Sequence, residues 1–180
     1  VLFANGSQDI GTGTRTLIAI HAAEELGVQP SDVQMGLGNT RDPLHHGSGG
    51  SVTAPSMGPP VRAAAFEAKR ELLSHVASAV GGDAEKMDLK DGKVTGAPRA
   101  MTFKQACGTM QVDQVSALGK FQGGVPPFNG KVGGGQLAEV EVDTETGTVR
   151  VIKVVALQDC GLVVDPLTAR SQINGGVIQG

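Results

Sequence analysis

The chain has 180 residues, of which 27 are glycine, and a formal net charge of −3. This length fits one domain, or two small lobes that share a core. The near balance of charge gives no support for a broad surface that binds nucleic acid or a membrane. No apolar run reaches the roughly 20 residues that a membrane-spanning helix needs.

Residue patterns in the first eighty positions predict a strand, a helix, a second strand and a second helix. Gly27 follows an apolar stripe at helical spacing and is expected to end the first helix. Pro59 and Pro60 precede the second predicted helix, and proline suits a helix start because its missing N–H costs nothing there. The predicted elements are a strand at Val1–Ala4, a helix at Thr14–Leu26, a strand at Val33–Leu37 and a helix at 61–80.

The rest of the chain predicts two hairpins and two further helices. Asp91-Gly92 is typical of a tight hairpin turn, and Thr102 is placed at the cap of a short helix. The glycine-rich stretch 119–135 is interpreted as a crossing loop, and no role is assigned to its residues 123–135. The predicted elements are a small hairpin over 87–95, a short helix over 102–106, an antiparallel hairpin of 137–142 and 148–157, and a last helix from Asp165-Pro166. Together they indicate an α+β fold with mixed sheets, an antiparallel hairpin and packed helices.

The first candidate ligand segment is Gly11–Thr16. Its small residues let a ligand approach the backbone, and free N–H groups at a helix start favour an anion. The segment has no Lys-Ser/Thr as in a P-loop, and Thr16 stands where a dinucleotide fingerprint has its third glycine. From spacing alone, ligand binding and a tight structural turn both remain open. Arg15 either meets a phosphate or only decorates the helix.

Two further segments offer polar groups beside glycines. In the segment 47–53, the hydroxyls of Ser48, Ser51 and Thr53 lie in glycine-rich backbone directly before a predicted helix. A flexible linker is the alternative there. Gln172, which precedes Asn174-Gly175-Gly176, has an amide that can both donate to and accept from the edge of a ring. Without further support, an ordinary polar helix residue is the favoured interpretation.

The pattern of cysteine and histidine residues gives little support for a metal-binding or redox site. Cys107 and Cys160 lie far apart and lack CxxC spacing, so a zinc or iron–sulfur site built from this chain is not expected. Two buried thiols are favoured over one disulfide. His45 and His46 have no partner pair at useful spacing, and a solvated loop is the preferred interpretation.

No acid or base in the chain is placed for catalysis. Glu24 and Glu25 are assigned to the solvent side of the first helix, and Glu139 and Glu141 to the exposed side of a strand. No Ser-His-Asp arrangement stands out. The sequence therefore predicts no general base.

Six motifs follow one another along the chain: QDIGTGTRT at 8–16, AAEELG at 22–27, GSGGS at 47–51, AEVEVD at 138–143, DCG at 159–161 and ARSQINGGVIQG at 169–180. In this order they resemble the molybdenum-binding subunit of the xanthine dehydrogenase/aldehyde oxidoreductase family, in its bacterial form. The resemblance runs almost end to end and is weakest between about 82 and 125. The resemblance implies one partial cofactor-binding domain over 1–180, with a first cofactor-binding lobe at 1–80, a variable connecting region at 81–135, and the hairpin with a final cofactor-contacting helix at 136–180.

The resemblance also implies roles for particular residues. The first loop would hold the pterin and its phosphate, the second would form another cradle for the same cofactor, and Gln172 would hydrogen-bond the pterin. Thr12 stands where the animal enzymes have a glutamine. The implied cofactor-binding residues are Ile10, Gly11, Thr12, Gly13, Gly50, Ser51, Thr53 and Gln172.

The activity that the resemblance implies is oxidation of aldehydes or hydroxylation of N-heterocycles such as purines. The cofactor would be molybdopterin with molybdenum, in the cytosine dinucleotide form, and electrons would pass to iron–sulfur clusters and FAD on partner subunits. The family's catalytic glutamate is expected shortly after residue 180, so no catalytic and no metal-ligating residue is assigned, and the fragment alone is expected to be inactive. The compartment is left open between bacterial cytoplasm and periplasm. The alternative function is a non-catalytic scaffold, or a degenerate binding module without molybdenum.

Overall fold

The structure is a computed structural model that describes residues 1–45, 47–120 and 132–180. The chain divides into two compact units, Val1–Gly123 and Gly124–Gly180. Helices and small sheets of both parallel and antiparallel type make up the units, so the predicted α+β class is confirmed. Within the described ranges, no helix is both long and apolar enough to cross a bilayer.

The first unit carries most of the secondary structure. Its elements are β1 (Leu2–Asn5), α1 (Thr14–Leu26), β2 (Gln34–Leu37), α2 (Thr53–Val80), β3 (Asp88–Lys90), β4 (Lys93–Thr95), β5 (Met101–Thr102) and α3 (Phe103–Cys107). Short 3-10 turns lie at Pro30–Asp32 and Ala84–Lys86. The second unit contains β6 (Gly133–Val142), β7 (Val149–Asp159) and α4 (Pro166–Gln179).

The predicted strand–helix–strand start is confirmed as a parallel β1–α1–β2 unit. The two strands pair in register from Leu2 opposite Gln34 to Asn5 opposite Leu37. Helix α1 ends where expected, because Gly27 adopts the left-handed conformation (φ +62°) that L side chains avoid.

Helix α2 begins eight residues earlier than predicted, at Thr53, and contains Pro59 and Pro60 in its interior. The prediction of a start at residue 61 was therefore wrong. Two prolines remove two helix hydrogen bonds, but this turn also buries Met57 and Val61, each 1% exposed, against α1. Tertiary packing thus outweighs the local preference that placed the helix start at the prolines.

Two apolar clusters form the core of the first unit. One joins α1, α2 and β2; its buried members are Ile18, Ala19, Ala22, Ala23, Val33, Met57 and Val61. The other joins the second half of α2 to β3, β4, β5 and α3; its buried members are Leu72, Leu73, Val76, Met87, Leu89, Val94, Met101 and Ala106. The predicted small hairpin and the Thr102 cap are confirmed, and β5 adds a third strand that the sequence did not predict.

The assignment of Glu25 to the solvent side of α1 was wrong. Its side chain is 14% exposed, and its carboxylate lies 2.8 Å from the Lys69 ammonium and 3.6 Å from the Arg62 guanidinium on α2. The same Lys69 ammonium lies 3.1 Å from the Asp88 carboxylate at the start of β3. Residue 25 flanks the buried face of α1, so a long acidic side chain there can reach across to the neighbouring helix.

The second unit contains an antiparallel hairpin and α4. Gly133–Gly135 pair with Leu157–Asp159 as the first residues of β6, so their assignment to the crossing loop was wrong; residues 121–131 of that loop lie outside the described residues. At Gly134, a Cβ atom would lie 2.8 Å from the Leu157 carbonyl oxygen and 3.0 Å from the Gln158 amide oxygen. Glycine there allows the strands to approach closely, and the ladder continues.

We expect a peptide of residues 132–180 to lack cooperative thermal unfolding by circular dichroism. None of its residues is buried in the structure, and a lone two-stranded hairpin is at best marginally stable in water. A fragment of residues 1–120, which holds both apolar clusters, is the control and should melt cooperatively. A sharp transition in the 132–180 peptide would contradict the expectation.

Candidate functional site

The structure brings two of the three predicted ligand segments side by side in the first unit. The loop between β1 and α1 meets the loop before α2 through two hydrogen bonds. Ser48 N donates to Gln8 Oε1 at 3.0 Å, and Ser48 Oγ donates to the Gln8 carbonyl at 2.5 Å. These residues are 40 positions apart, so the contact is tertiary.

Glycines in both loops present open backbone. Gly11 (φ +94°), Gly13 (φ +84°) and Gly50 (φ +61°) adopt left-handed conformations that favour glycine. At Gly11, Gly49 and Gly50, a Cβ atom would meet nothing within 4 Å. The space beside these backbones therefore lets a flat ligand approach closely.

An anion already lies at the start of α1, and it is the carboxylate of Asp9. Asp9 Oδ1 accepts from Gly11 N at 3.0 Å, and Oδ2 accepts from Arg15 N at 2.9 Å. The bond from Arg15 N is the main reason that the pKa of Asp9 is lowered. Two amides that could have received a phosphate are thus taken. The hydroxyls of Thr12 and Thr14 lie 3.5 Å apart in the same loop, with Thr12 exposed and Thr14 buried.

Arg15 itself serves the fold. Its guanidinium Nη1 donates to the Met35 carbonyl at 3.1 Å and so joins the start of α1 to β2. The sequence left contact with a phosphate or a simple surface position open for this residue; the bond to β2 was not predicted.

The second loop contains an uncommon backbone conformation at Ser51. Its φ is +58°, which non-glycine residues seldom adopt and which recurs at ligand sites. Thr53 follows as the half-buried first residue of α2. The segment predicted to precede a helix therefore does so, and it is ordered by a bond from Val52 N to the Gly49 carbonyl.

The remaining predicted site residues are exposed. Ile10 is 64% exposed at the tip of the first loop. Gln172 lies on the exposed side of α4, in the second unit. The helix is capped by Asp165, whose carboxylate accepts from Leu167 N. The predicted hydrogen bond from Gln172 to the ligand of the two loops stays a prediction.

The described part of the chain holds no cluster of three metal-ligating side chains. Cys107 and Cys160 are free thiols, as expected, but Cys160 is exposed, so its expected burial was wrong. Burial raises the pKa of the half-buried Cys107. His45 is half-buried with Nε2 3.3 Å from Ser56 Oγ, which differs from the expected solvated position. His46 lies outside the described residues.

Gln8 and Asp9 were not among the predicted site residues, and Ser48 was named only as a hydroxyl of the second segment. Asp9 could have been found, since aspartate commonly accepts from the N–H two residues onward, here Gly11. The Gln8–Ser48 contact had no local signal, because it depends on how two distant loops pack.

A separate groove of about 530 Å³ lies between β1, α2 and the residues just after α3. Its lining is mostly apolar and includes Phe3, Val61, Leu72 and Phe103. None of the predicted site residues of the two glycine-rich loops lines it. This groove is therefore distinct from the paired loops.

Comparison with known proteins gives a match over the full chain. Residues 1–180 match the family model described as "Molybdopterin cofactor-binding domain". The chain is 36% identical over 174 residues to the aldehyde oxidoreductase molybdenum-binding subunit PaoC of Escherichia coli (strain K12), covering 96% of this chain and 23% of that protein. It is 32% identical over 179 residues to the probable hypoxanthine oxidase XdhD of the same strain, covering 97% of this chain and 19% of that protein.

Solved structures show the same likeness. The structure of quinoline 2-oxidoreductase from Pseudomonas putida 86 superposes with a TM-score of 0.78 at 26% identity, covering 98% of this chain and 24% of that one. The chain thus spans about a quarter or less of the length of these relatives.

Proposed function

We propose, from the premise that this chain belongs to the molybdopterin cofactor-binding domain family, that it forms one side of the cofactor site in a larger molybdenum hydroxylase. The observation that carries the proposal is the pairing of two glycine-rich loops through Gln8 and Ser48. The pairing places open backbone and several hydroxyls in one region of the first unit.

The residues present fit such a cofactor. Pterins are flat and rich in hydrogen-bonding edges, and the open glycine backbones at 11, 49 and 50 allow close approach of a flat group. Thr12 and Ser51 are exposed at the same loops, and their neutral hydroxyls can both donate and accept hydrogen bonds. Molybdopterin, when bound, supplies a metal centre that exchanges electrons in pairs with a substrate.

Each part of the chain would then have its own role toward the cofactor. Residues 10–13 would hold the pterin and the adjoining phosphate through hydroxyl and remaining backbone donors. Gly50, Ser51 and Thr53 would form the second cradle, and Gln172 would offer its amide to the pterin. All of these roles are binding and orientation; proton transfer to or from a substrate is assigned to residues elsewhere in the larger protein.

We further propose that the complete protein oxidises aldehydes or hydroxylates N-heterocycles. Support comes from the names of its relatives, an aldehyde oxidoreductase subunit, a probable hypoxanthine oxidase and a quinoline oxidoreductase. The cofactor would be the cytosine dinucleotide form, and iron–sulfur and FAD partners would carry electrons away.

The test is to co-express the complete subunit with its partners and to measure bound molybdenum and acid-released cytosine nucleotide. We expect both in proportion to protein. A folded but metal-free subunit under cofactor-replete conditions would instead favour the alternative, a scaffold or degenerate binding module.

Gln172→Ala in the complete subunit should lower the molybdenum content, because the pterin would lose an amide that both donates and accepts. Gln179→Ala is the matched control, since Gln179 is an exposed glutamine on the same helix and is not assigned to the cofactor. Equal molybdenum content in the two variants would remove the role given to Gln172.

A further inference from the structure

We propose that Gln8 and Asp9 are positioning residues that hold the two glycine-rich loops in the geometry that accepts the cofactor. This inference rests on the proposed function, that these loops hold molybdopterin. We name the pair the Gln8–Asp9 clasp. It joins three elements, the first loop, the second loop and α1, from two adjacent residues.

The clasp is anchored in the core. Ser7, immediately before it, is fully buried, and its N–H donates to Asn5 Oδ1 at 2.8 Å at the end of β1. Gly6 N donates to the Pro43 carbonyl at 2.9 Å. The backbone that carries Gln8 and Asp9 is therefore fixed before either side chain makes a contact.

The Gln8 arm reaches the second loop. Gln8 uses its side-chain oxygen and its carbonyl to accept both the N–H and the hydroxyl of Ser48. Its side-chain nitrogen donates to the Gly6 carbonyl at 3.3 Å, which orients the amide oxygen toward Ser48. Glycine-rich loops lose much conformational freedom when a ligand orders them, so loops held in advance bind more tightly.

The Asp9 arm shapes the first loop. Its two carboxylate oxygens accept from Gly11 N and Arg15 N, on either side of Thr12 and Gly13. The carboxylate thus spans the turn from which Thr12 extends. It also occupies one amide of the loop and one of the first turn of α1, so the hydroxyls and the remaining backbone N–H groups of the first loop are left for the cofactor.

The experiment compares Gln8→Ala and Asp9→Asn in the complete subunit with its partners. Matched controls are Gln105→Ala and Asp32→Asn, whose side chains also accept from a backbone N–H but at short helices elsewhere, from Thr102 N at 2.8 Å and Gln29 N at 3.0 Å. Three quantities are measured: the rate at which molybdenum is lost on dialysis, the thermal midpoint of the cofactor-free protein, and hydrogen exchange of residues 47–52 in that cofactor-free protein.

We expect Gln8→Ala and Asp9→Asn to lose molybdenum about tenfold faster than the controls, as suits the loss of one or two hydrogen bonds. The thermal midpoints should match those of the controls. Exchange at 47–52 should rise in Gln8→Ala, and adding Ser48→Ala to it should change little, because the two residues act through one contact.

Two results would overturn the clasp: molybdenum loss at the control rate, or a fall in the cofactor-free thermal midpoint that accounts for the faster loss. Failure of the proposed function has a different signature. Wild-type protein would then lack molybdenum, while exchange at 47–52 would still rise in Gln8→Ala and support the clasp itself.

Discussion

Gly27→Ala is expected to lower the free energy of unfolding of the chain by about 3 kcal/mol, from backbone strain and overpacking together. Gly27 ends α1 at φ +62°, and a Cβ atom there would lie 2.6 Å from the Leu89 carbonyl carbon and 2.8 Å from Lys90 Cα. The Gly27 carbonyl also accepts from Gly92 N at 2.6 Å in the β3–β4 turn. The substitution would therefore push α1 away from the small sheet.

The control for Gly27→Ala is Gly38→Ala. Gly38 also has a positive φ (+78°), but the nearest atom to a Cβ there, the Ser7 carbonyl oxygen, is 3.8 Å away. In Gly38→Ala, backbone strain alone should lower the free energy of unfolding by about 1 kcal/mol. Urea denaturation followed by circular dichroism measures both values, and equal losses would show that contact with β3 contributes nothing.

Lys69→Met should cost about 2 kcal/mol of unfolding free energy. The methionine stem keeps the apolar packing of the lysine stem, but the Glu25 carboxylate would lose its nearest cation while its side chain remains only 14% exposed. Removing one partner of a buried pair leaves a charge without compensation, which costs more than the pair itself contributes. Arg62, at 3.6 Å and 52% exposed, would compensate in part.

The control for Lys69→Met is Lys86→Met. Lys86 also pairs with a carboxylate, that of Asp83 at 3.2 Å, but its side chain is 81% exposed. Exposed pairs contribute about 0 to 1 kcal/mol, so this variant should remain near wild-type stability. Similar losses in both variants would contradict a special role for the Lys69 cluster.

The effect of Lys69→Met should also depend on pH. Burial alone would lower the pKa of Lys69, but hydrogen bonds to Glu25 and Asp88 raise it overall. Burial would raise the pKa of Asp88, but its bond to Lys69 lowers it overall. The raised lysine pKa contributes stability that is lost above about pH 10, and the lowered aspartate pKa contributes stability that is lost as pH falls through its range below about 4. The difference in the free energy of unfolding between wild type and Lys69→Met should therefore become smaller toward pH 3.

The eight residues predicted to bind the cofactor show how far local sequence reasoning extends into the proposed site. Gly11–Gly13 and Gly50–Thr53 were selected by their composition and order, and the structure places both segments in adjacent loops. That adjacency depends on the contact between Gln8 and Ser48, which no local pattern marks. Asp9 changes the chemistry expected at the first loop, because it supplies the anion that the glycine-rich helix start was expected to bind.

The sequence by itself determined the family, the α+β class and the elements whose signals lie within a few residues. The ends of α1 at Thr14 and Gly27, the Asp91-Gly92 turn and the Thr102 cap are of this kind, because backbone conformation there depends on the side chains of neighbours in the chain. Motif order from 8 to 180 led to the molybdopterin-binding family, which the full-length match confirms.

Only the tertiary structure decided the features that depend on distant partners. The start of α2 at Thr53, the ion pairs of Glu25 and the strand Gly133–Gly135 each follow from packing against residues that are remote in sequence. Helix propensity and hydrophobic periodicity describe one segment at a time, whereas burial and hydrogen bonding across elements add energies large enough to override them. The pairing of the two glycine-rich loops, on which the proposed cofactor site depends, is set by such contacts.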